Sequence, residues 1–280
     1  MKPFDSDNTN PAGGINSNAT EMARWMITQL DSGRTPDGTR LFSPRTTRQL
    51  WGTVTPLGIG EPAPELAALR PEFNGYALGL QVRDVRGVKV ITHTGGLPGY
   101  VSRVTMVPKL KLGIAVLTNQ ESGAAFESLT YLILDQFLKA PYTDWVAAYK
   151  RVGARRDSIQ AAADRKSGTR TDSVSVPPMP LERYAGTYTD PWYGDMEITL
   201  RDGKLRIRMV PTPSLQGDLE YWQYGSFVAR WSDPELRADA FVTFALAPDG
   251  RIEKVTMKAF SSETDFSFDF HDLTFKPAKK

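Results

Sequence analysis

Apolar positions first recur with a helical period. From Asn18 to Leu30 the residues Met22, Trp25, Met26 and Leu30 follow at spacings of three and four, which predicts an amphipathic helix. Asn18 with Glu21 three residues on is a capping-box pair at its start, and Asp31-Ser32-Gly33 stops it. Ser43-Pro44 opens a second, short helix, with Ser at the N-cap and Pro in the first turn. Thr55 to Pro71 is rich in Pro and Gly and reads as a loop. The period then changes to two. Tyr76–Val85 and Tyr100–Val107 alternate, and Val88–His93 is β-branched. Thr94-Gly95-Gly96-Leu97-Pro98-Gly99 reads as a turn. Leu112–Thr118 is an almost continuous apolar run, suited to a strand covered on both faces. Short connections make these strands an antiparallel meander. Ala124–Leu138 returns to the helical period, with Leu129, Leu132, Ile133, Gln136 and Phe137 as the expected buried stripe.

Beyond that helix, Tyr142–Lys166 reads as a helical, charge-rich connector, and Ser167–Pro180 as a linker rich in Gly, Thr, Ser and Pro. Short strands follow: Gly186–Thr189, Met196–Leu200, Lys204–Val210, Leu219–Tyr224, Phe227–Arg230, Ala240–Leu246, Ile252–Ala259 and Phe266–Phe275. Asp202-Gly203 and Pro248-Asp249-Gly250 are turns with clear chemistry. Strands of this number and spacing argue a small antiparallel barrel or sandwich. Trp192, Tyr193, Tyr221, Trp222, Tyr224, Phe227 and Trp231 are its expected core. The expected fold class is α+β: an antiparallel sheet with packed helices, followed by a small all-β, lipocalin-like barrel. The expected divisions are residues 1–140, 141–180 and 181–280.

Composition narrows the function. Of 280 residues, 34 are basic and 32 acidic, a net charge of +2 that gives no electrostatic case for nucleic-acid binding. The nearest approach to a charge run, Lys150, Arg151, Arg155 and Arg156, reads as a solvated helix face. There is no cysteine, which excludes disulfides, thiolate nucleophiles and iron–sulfur centres. The two histidines, His93 and His271, lie far apart in sequence and no H-E-x-x-H spacing occurs, so neither a metal nor a cofactor is expected. No run of 18 apolar residues encodes a membrane span.

The informative stretch is His93-Thr94-Gly95-Gly96-Leu97-Pro98-Gly99-Tyr100 at the end of a strand. Together with Ala12-Gly13-Gly14-Ile15 before the first helix, Tyr76-Ala77-Leu78-Gly79-Leu80, and the apolar run ending in Leu117-Thr118-Asn119, it resembles the serine β-lactamase and penicillin-binding-protein superfamily. The closest likeness is to its class C, esterase and D-aminopeptidase branch. The resemblance covers roughly Pro11–Leu138 and marks residues 1–140 as part of a transpeptidase-like domain. It implies that His93-Thr94-Gly95 is the family's Lys/His-Thr/Ser-Gly triplet on the strand beside the nucleophile. It also implies that the Gly96 N–H is one of two oxyanion donors. Backbone N–H groups suit that task because they are fixed and cannot titrate, and glycine lets a carbonyl approach closely. His93 and Thr94 would then offer a donor and a hydroxyl to a substrate carboxylate or to the proton network, and the strand edge could pair with substrate backbone. Histidine in place of lysine weakens the fixed positive charge at neutral pH, which favours ester- or peptide-like substrates over classical β-lactam recognition.

The family's nucleophile lies in Ser-x-x-Lys and its second box is Tyr-x-Asn or Tyr-x-Ser. Ser-x-x-Lys and Tyr-x-Asn do not occur in the chain, and the second box is read as missing. Both precede the matching part in the family, so the expectation is that about half of the catalytic domain is encoded upstream and that this chain is inactive alone. The full protein would act through an acyl-serine intermediate on an ester, a D-amino-acid peptide or a β-lactam. Its partners would be that small-molecule or peptide substrate and the missing N-terminal half. Where upstream strands would pair, the edge at Leu112–Thr118 would be open to a second copy, giving a homo-oligomer. The region Tyr184–Phe275 resembles the small accessory β-domain that follows such catalytic domains. A non-catalytic ligand- or partner-binding protein using that β-barrel is the alternative. Relatives are commonly periplasmic or secreted, and Met1–Pro11 shows no secretory apolar region.

Overall fold

In the computed structural model, which describes residues 10–97, 99–167, 176–261, 264–265 and 268–278, the chain divides into two units, residues 1–157 and 158–280. The first holds a helical turn α1 (Asn10–Gly13), helices α2 (Ala19–Leu30), α3 (Pro44–Leu50) and α4 (Gly123–Leu138), and the first part of α5 (Trp145–Ser167), which runs past residue 157. Its strands are β1 (Thr55–Pro56), β2 (Asn74–Tyr76), β3 (Gln81–Val85), β4 (Val88–Leu97), β5 (Tyr100–Val107) and β6 (Leu112–Thr118). The local signals hold. The Asn18 side chain caps α2 by accepting from the Glu21 N–H at 3.0 Å, and Ser43 caps α3 by accepting from the Thr46 N–H at 3.1 Å. The six strands form one antiparallel sheet in chain order, the expected meander.

Both faces of the sheet are covered. On one, Val90, Val107, Ile114 and Val116 pack with Phe126, Tyr131 and Leu134 of α4 and Trp145 of α5. On the other, Val82, Ile91 and Met106 pack with Met26 of α2. Gly113 shows how tight that side is, since a Cβ there would lie 3.0 Å from the Met26 Cβ. β6 is thus sandwiched between α2 and α4, as its unbroken apolar run predicts. Among the described residues it pairs with β5 alone and forms the sheet edge.

The structure corrects several sequence expectations. Tyr76–Val85 is a hairpin, not one strand: β2 turns through Ala77–Leu80, with Gly79 at φ +79° and the Ala77 N–H donating to the Leu80 carbonyl at 2.7 Å. The presumed loop 55–71 contains β1 and a 3₁₀ turn over Pro64–Leu69. The stretch read as a turn from Thr94 is strand as far as Leu97. In α4 most of the expected stripe faces outward: Leu129, Leu132 and Phe137 are exposed and Ile133 packs on the core, while Phe126, Tyr131 and Leu134 are buried with Ser128, Thr130 and Asp135. That inward face is rich in polar atoms, which an apolar periodicity count does not register.

Those polar atoms have partners. Asp135 accepts from Arg86 Nε at 2.8 Å and from Trp145 Nε1 at 2.9 Å, joining the β3–β4 turn to α4 and α5. Arg103, 5% exposed, forms an ion pair with Glu127 of α4. It also donates to Thr105 Oγ1 at 3.2 Å and to the Tyr131 hydroxyl at 3.4 Å, with its guanidinium 5.3 Å from the Tyr131 ring centroid. Among the described residues no helix is long and apolar enough to cross a membrane.

The second unit is a closed barrel. Its strands are β7 (Gly186–Asp190), β8 (Gly194–Arg201), β9 (Lys204–Met209), β10 (Gln216–Gln223), β11 (Ser226–Trp231), β12 (Ala240–Leu246), β13 (Ile252–Ala259) and β14 (Thr274–Pro277). Each pairs with its sequence neighbour, and β14 closes on β7. β9 shows the pattern that makes this work: Leu205, Ile207 and Met209 are buried between exposed Lys204, Arg206 and Arg208. Rings of Tyr184, Phe227 and Phe244 meet edge to face inside, with Tyr184 centroids 4.9 Å from both phenylalanines. Phe227 and Trp231 are core as expected, but Trp192 is 87% exposed and Tyr224 61%. Both lie at turns between strands, where the inward alternation does not apply. The expected strand Phe266–Phe275 is a 3₁₀ turn over Phe270–Asp272 followed by β14, with residues 266 and 267 outside the described set.

Two expectations can be measured. Glu127→Ala leaves the Arg103 charge buried without its carboxylate and should cost about 3 kcal/mol. This is the low end for a broken buried pair, because Glu127 keeps about a quarter of its surface in water. Urea unfolding followed by tryptophan fluorescence checks it, and a loss below about 1 kcal/mol contradicts the role given to the pair. The second concerns acid. Burial raises the carboxyls of Asp84 and Asp190, but three backbone N–H donors to each outweigh it and hold both below the ordinary value. A depressed folded value gives stability that is complete above the unfolded value of about 3.9 and is lost as pH falls through the folded one. Asp84→Asn and Asp190→Asn should therefore flatten the acid limb of stability below about pH 4.

Candidate active site

The register of two hairpins sets the main chain of β4. Val85 and Val88 close the β3–β4 hairpin around Arg86 and Gly87, both at positive φ, the geometry of a two-residue turn. Leu97 and Tyr100 close the β4–β5 hairpin. Closing pairs of this kind exchange both hydrogen bonds, and the pattern repeats every second residue. Even-numbered residues of β4 thus point their N–H and C=O groups toward β3, and odd-numbered ones toward β5. β3 begins at Gln81, opposite Thr92. The backbone groups of Thr94 and Gly96 therefore face outward past the end of β3, and residues 93–97 are all exposed.

Beside this free edge lies a cavity of about 330 Å³ lined by Tyr76, Gln81, Arg83, His93, Thr94 and Glu127 among others. The structure thus brings His93 and Thr94 to the cavity, and sets Gly95 and Gly96 on the same exposed strand. Neither ring nitrogen of His93 is idle. Nδ1 lies 2.5 Å from the Thr94 carbonyl, and Nε2 lies 3.0 Å from the Tyr76 hydroxyl. The two rings meet edge to face, with centroids 6.2 Å apart.

The floor is the Arg103 network. Burial works against the Arg103 charge, but Tyr131 and Glu127 outweigh it and hold the guanidinium ionised. Burial, reinforced by Glu127, pushes the Tyr131 and Tyr149 phenols upward, so both stay protonated. Thr92 Oγ1 donates to the Val104 carbonyl at 2.7 Å and meets Thr105 Oγ1 at 3.1 Å, extending the network beneath the triplet strand.

Sequence reading missed Tyr76, Gln81, Arg83, Arg103, Glu127 and Tyr131. Tyr76 is hidden by the β2–β3 reversal, and Arg103 by the assumption that an alternating strand buries only apolar groups. The string Tyr100-Val101-Ser102 does have the form Tyr-x-Ser. It follows the triplet instead of preceding it, and its ends pair with Leu97 and Gly95, so it does not stand in for the family's second box. A larger groove of about 430 Å³ lies between α4 and α5, lined mainly by Ala124, Ala125, Leu129 and Val146. Lys150 is its one ionisable lining group, and it offers no chemistry comparable to the β4 edge. In the second unit, ligand atoms of Asp269, His271 and Asp272 lie within 4.8 Å of one another. Asp269 already accepts from the Tyr193 hydroxyl at 3.2 Å.

Residues 1–137 match the family described as Beta-lactamase, and residues 170–277 match a domain of unknown function, DUF3471. The first unit is thus similar to the Beta-lactamase family over most of its length. The chain is similar to the unguisins hydrolase ungD of Aspergillus violaceofuscus, at 30% identity over 62% of this chain and 33% of that protein. It is also similar to unguisins hydrolase ungD' of Aspergillus campestris, at 27% identity over 67% of this chain and 34% of that protein. The chain thus spans about a third of the length of these curated relatives. Among solved structures it aligns with the octameric penicillin-binding protein homologue from Pyrococcus abyssi at 13% identity and a TM-score of 0.36, over 87% of this chain and 45% of that one.

The two glycines of the edge should respond differently to a methyl group. A Cβ on Gly96 meets nothing within 4 Å, so Gly96→Ala should leave stability within about 0.5 kcal/mol. A Cβ on Gly95 would lie 2.7 Å from Ser102 Oγ. Gly95→Ala should therefore cost about 1 kcal/mol by forcing that side chain to turn, and Ser102→Ala in the same chain should relieve it. Thermal unfolding of the three variants tests the pattern.

Proposed function

We propose that the β4 edge is the oxyanion wall of an acyl-serine hydrolase whose nucleophile is supplied from outside this chain. The observation that carries this reading is the pair of N–H groups of Thr94 and Gly96 facing outward past the end of β3, on a strand edge where Thr94 lines the cavity. In the proposed reaction the serine oxygen bonds to the acyl carbon while its proton passes to a base. The oxyanion is held by the Gly96 N–H and a second N–H at the nucleophile. The alcohol or amine then leaves with a proton, and water releases the acid in the second half. The hydrolase names of the curated relatives support the reaction type. Their printed substrate, unguisins, is one candidate beside the ester, D-amino-acid peptide and β-lactam classes.

Ser-x-x-Lys and Tyr-x-Asn are absent from the chain, so the proposed half-site is inert alone. The outer edge of β6 would receive strands of the upstream half, or a second copy when that half is missing. Incubated with a fluorophosphonate or a fluorescent penicillin, the 280-residue chain should take up no label, and co-expression with an upstream half carrying Ser-x-x-Lys should restore labelling on that half. Stoichiometric labelling of the 280-residue chain itself would sink the proposal of an external nucleophile.

A further inference from the structure

We propose that Tyr76 is the positioning residue of this site. Its hydroxyl fixes the His93 tautomer, and the pair presents an uncharged wall that takes an ester or internal amide in preference to a free carboxylate. The proposal rests on the acyl-transfer reading above for its substrate half, and on geometry alone for its tautomer half.

The geometry leaves few choices. A backbone carbonyl only accepts, so the Nδ1 atom facing the Thr94 oxygen at 2.5 Å carries the hydrogen. A neutral imidazole then has its lone pair on Nε2, and the Tyr76 hydroxyl 3.0 Å away must donate to it. Both ring nitrogens are committed, so His93 has no free N–H for a substrate carboxylate. Tyr76 and His93 both line the cavity, with Arg83 and Arg103 elsewhere in its lining, and the Tyr76 phenol oxygen keeps lone pairs available as acceptors at this wall. An acceptor oxygen repels a carboxylate and accepts from a substrate N–H. The wall's position is itself specified. The β2–β3 hairpin carries Tyr76 to His93, and Asp84 anchors the chain entering β2 by accepting from the Glu72 and Phe73 N–H groups at 2.7 and 3.0 Å.

The chain has only two histidines, which makes the test direct. Long-range proton–nitrogen spectra of the ¹⁵N-labelled 280-residue chain at pH 8, assigned with His271→Gln, should show His93 with its hydrogen on Nδ1. Tyr76→Phe should convert it to a mixture of tautomers while the His271 signals stay in place. An Nε2–H tautomer in the wild type, or an Nδ1–H tautomer untouched by Tyr76→Phe, overturns the assignment of Tyr76. The substrate half is read from the same signals during titration with N-acetyl-D-alanine methyl ester and with N-acetyl-D-alanine. The ester should perturb His93 at a concentration at least tenfold lower than the acid, and Tyr76→Phe should abolish that preference. Equal or reversed response overturns the neutral-wall claim. Perturbation by neither ligand, with the tautomer as stated, overturns the substrate half, whereas the acyl-transfer reading fails only with the labelling experiment above.

Discussion

A single buried charge organises the first unit. Arg103 sits at the centre of β5, 5% exposed, directly across from Thr94 in the register. Taking a guanidinium out of water is costly unless its donors are met. Here they are met by Glu127, the Tyr131 hydroxyl and Thr105. Each partner lies on an element that must hold still: α4, which covers the sheet, or β5, which backs the triplet strand. Hydrophobic burial brings α4 onto the sheet, but it is non-directional and would tolerate sliding. The charge-assisted bonds remove that freedom.

This matters because the end of β4 has a neighbour on one side only. A strand segment with one open edge and two glycines is the part of a sheet expected to move most. Arg103 and Thr105 beneath it, with the Thr92 hydroxyl bonded across to the Val104 carbonyl, supply rigidity from the face that the missing neighbour does not. A second carboxylate does parallel work at the other end of the same strand. Asp135 holds the Arg86 turn and the Trp145 indole together. The cavity wall is thus braced by polar contacts below and beside it while its outer edge stays open.

The same physics explains what the sequence could and could not reveal. Asn18, Ser43 and Asp202-Gly203 act within a few residues, so the caps and turns were readable where they stand. The Leu112–Thr118 run was readable because burial on both faces leaves no alternation to misinterpret. The stripe of α4 was misread because its inward face carries Ser128, Thr130 and Asp135, whose burial depends on partners up to 49 residues away. The role of Tyr76 was hidden for a related reason. A four-residue reversal at Ala77–Leu80, within a stretch that alternates like a strand, decides whether Tyr76 reaches His93. The triplet was legible as a motif, but its outward-facing main chain follows only from where β3 begins.

The two units answer the problem of sheet edges in opposite ways. The barrel closes β14 on β7 and leaves no edge. The six-stranded sheet leaves the whole of β6 without an outer neighbour among the described residues. Leu112-Gly113-Ile114-Ala115-Val116-Leu117-Thr118 has no charge, no proline and no bulge, the usual means of protecting an edge. α2 and α4 already occupy its two faces, so the one way left to satisfy its outward N–H and C=O groups without water is another strand. The proposed upstream half would supply that strand and the nucleophile together. The open edge of β6 and the proposed half-site would then be completed by one and the same docking event.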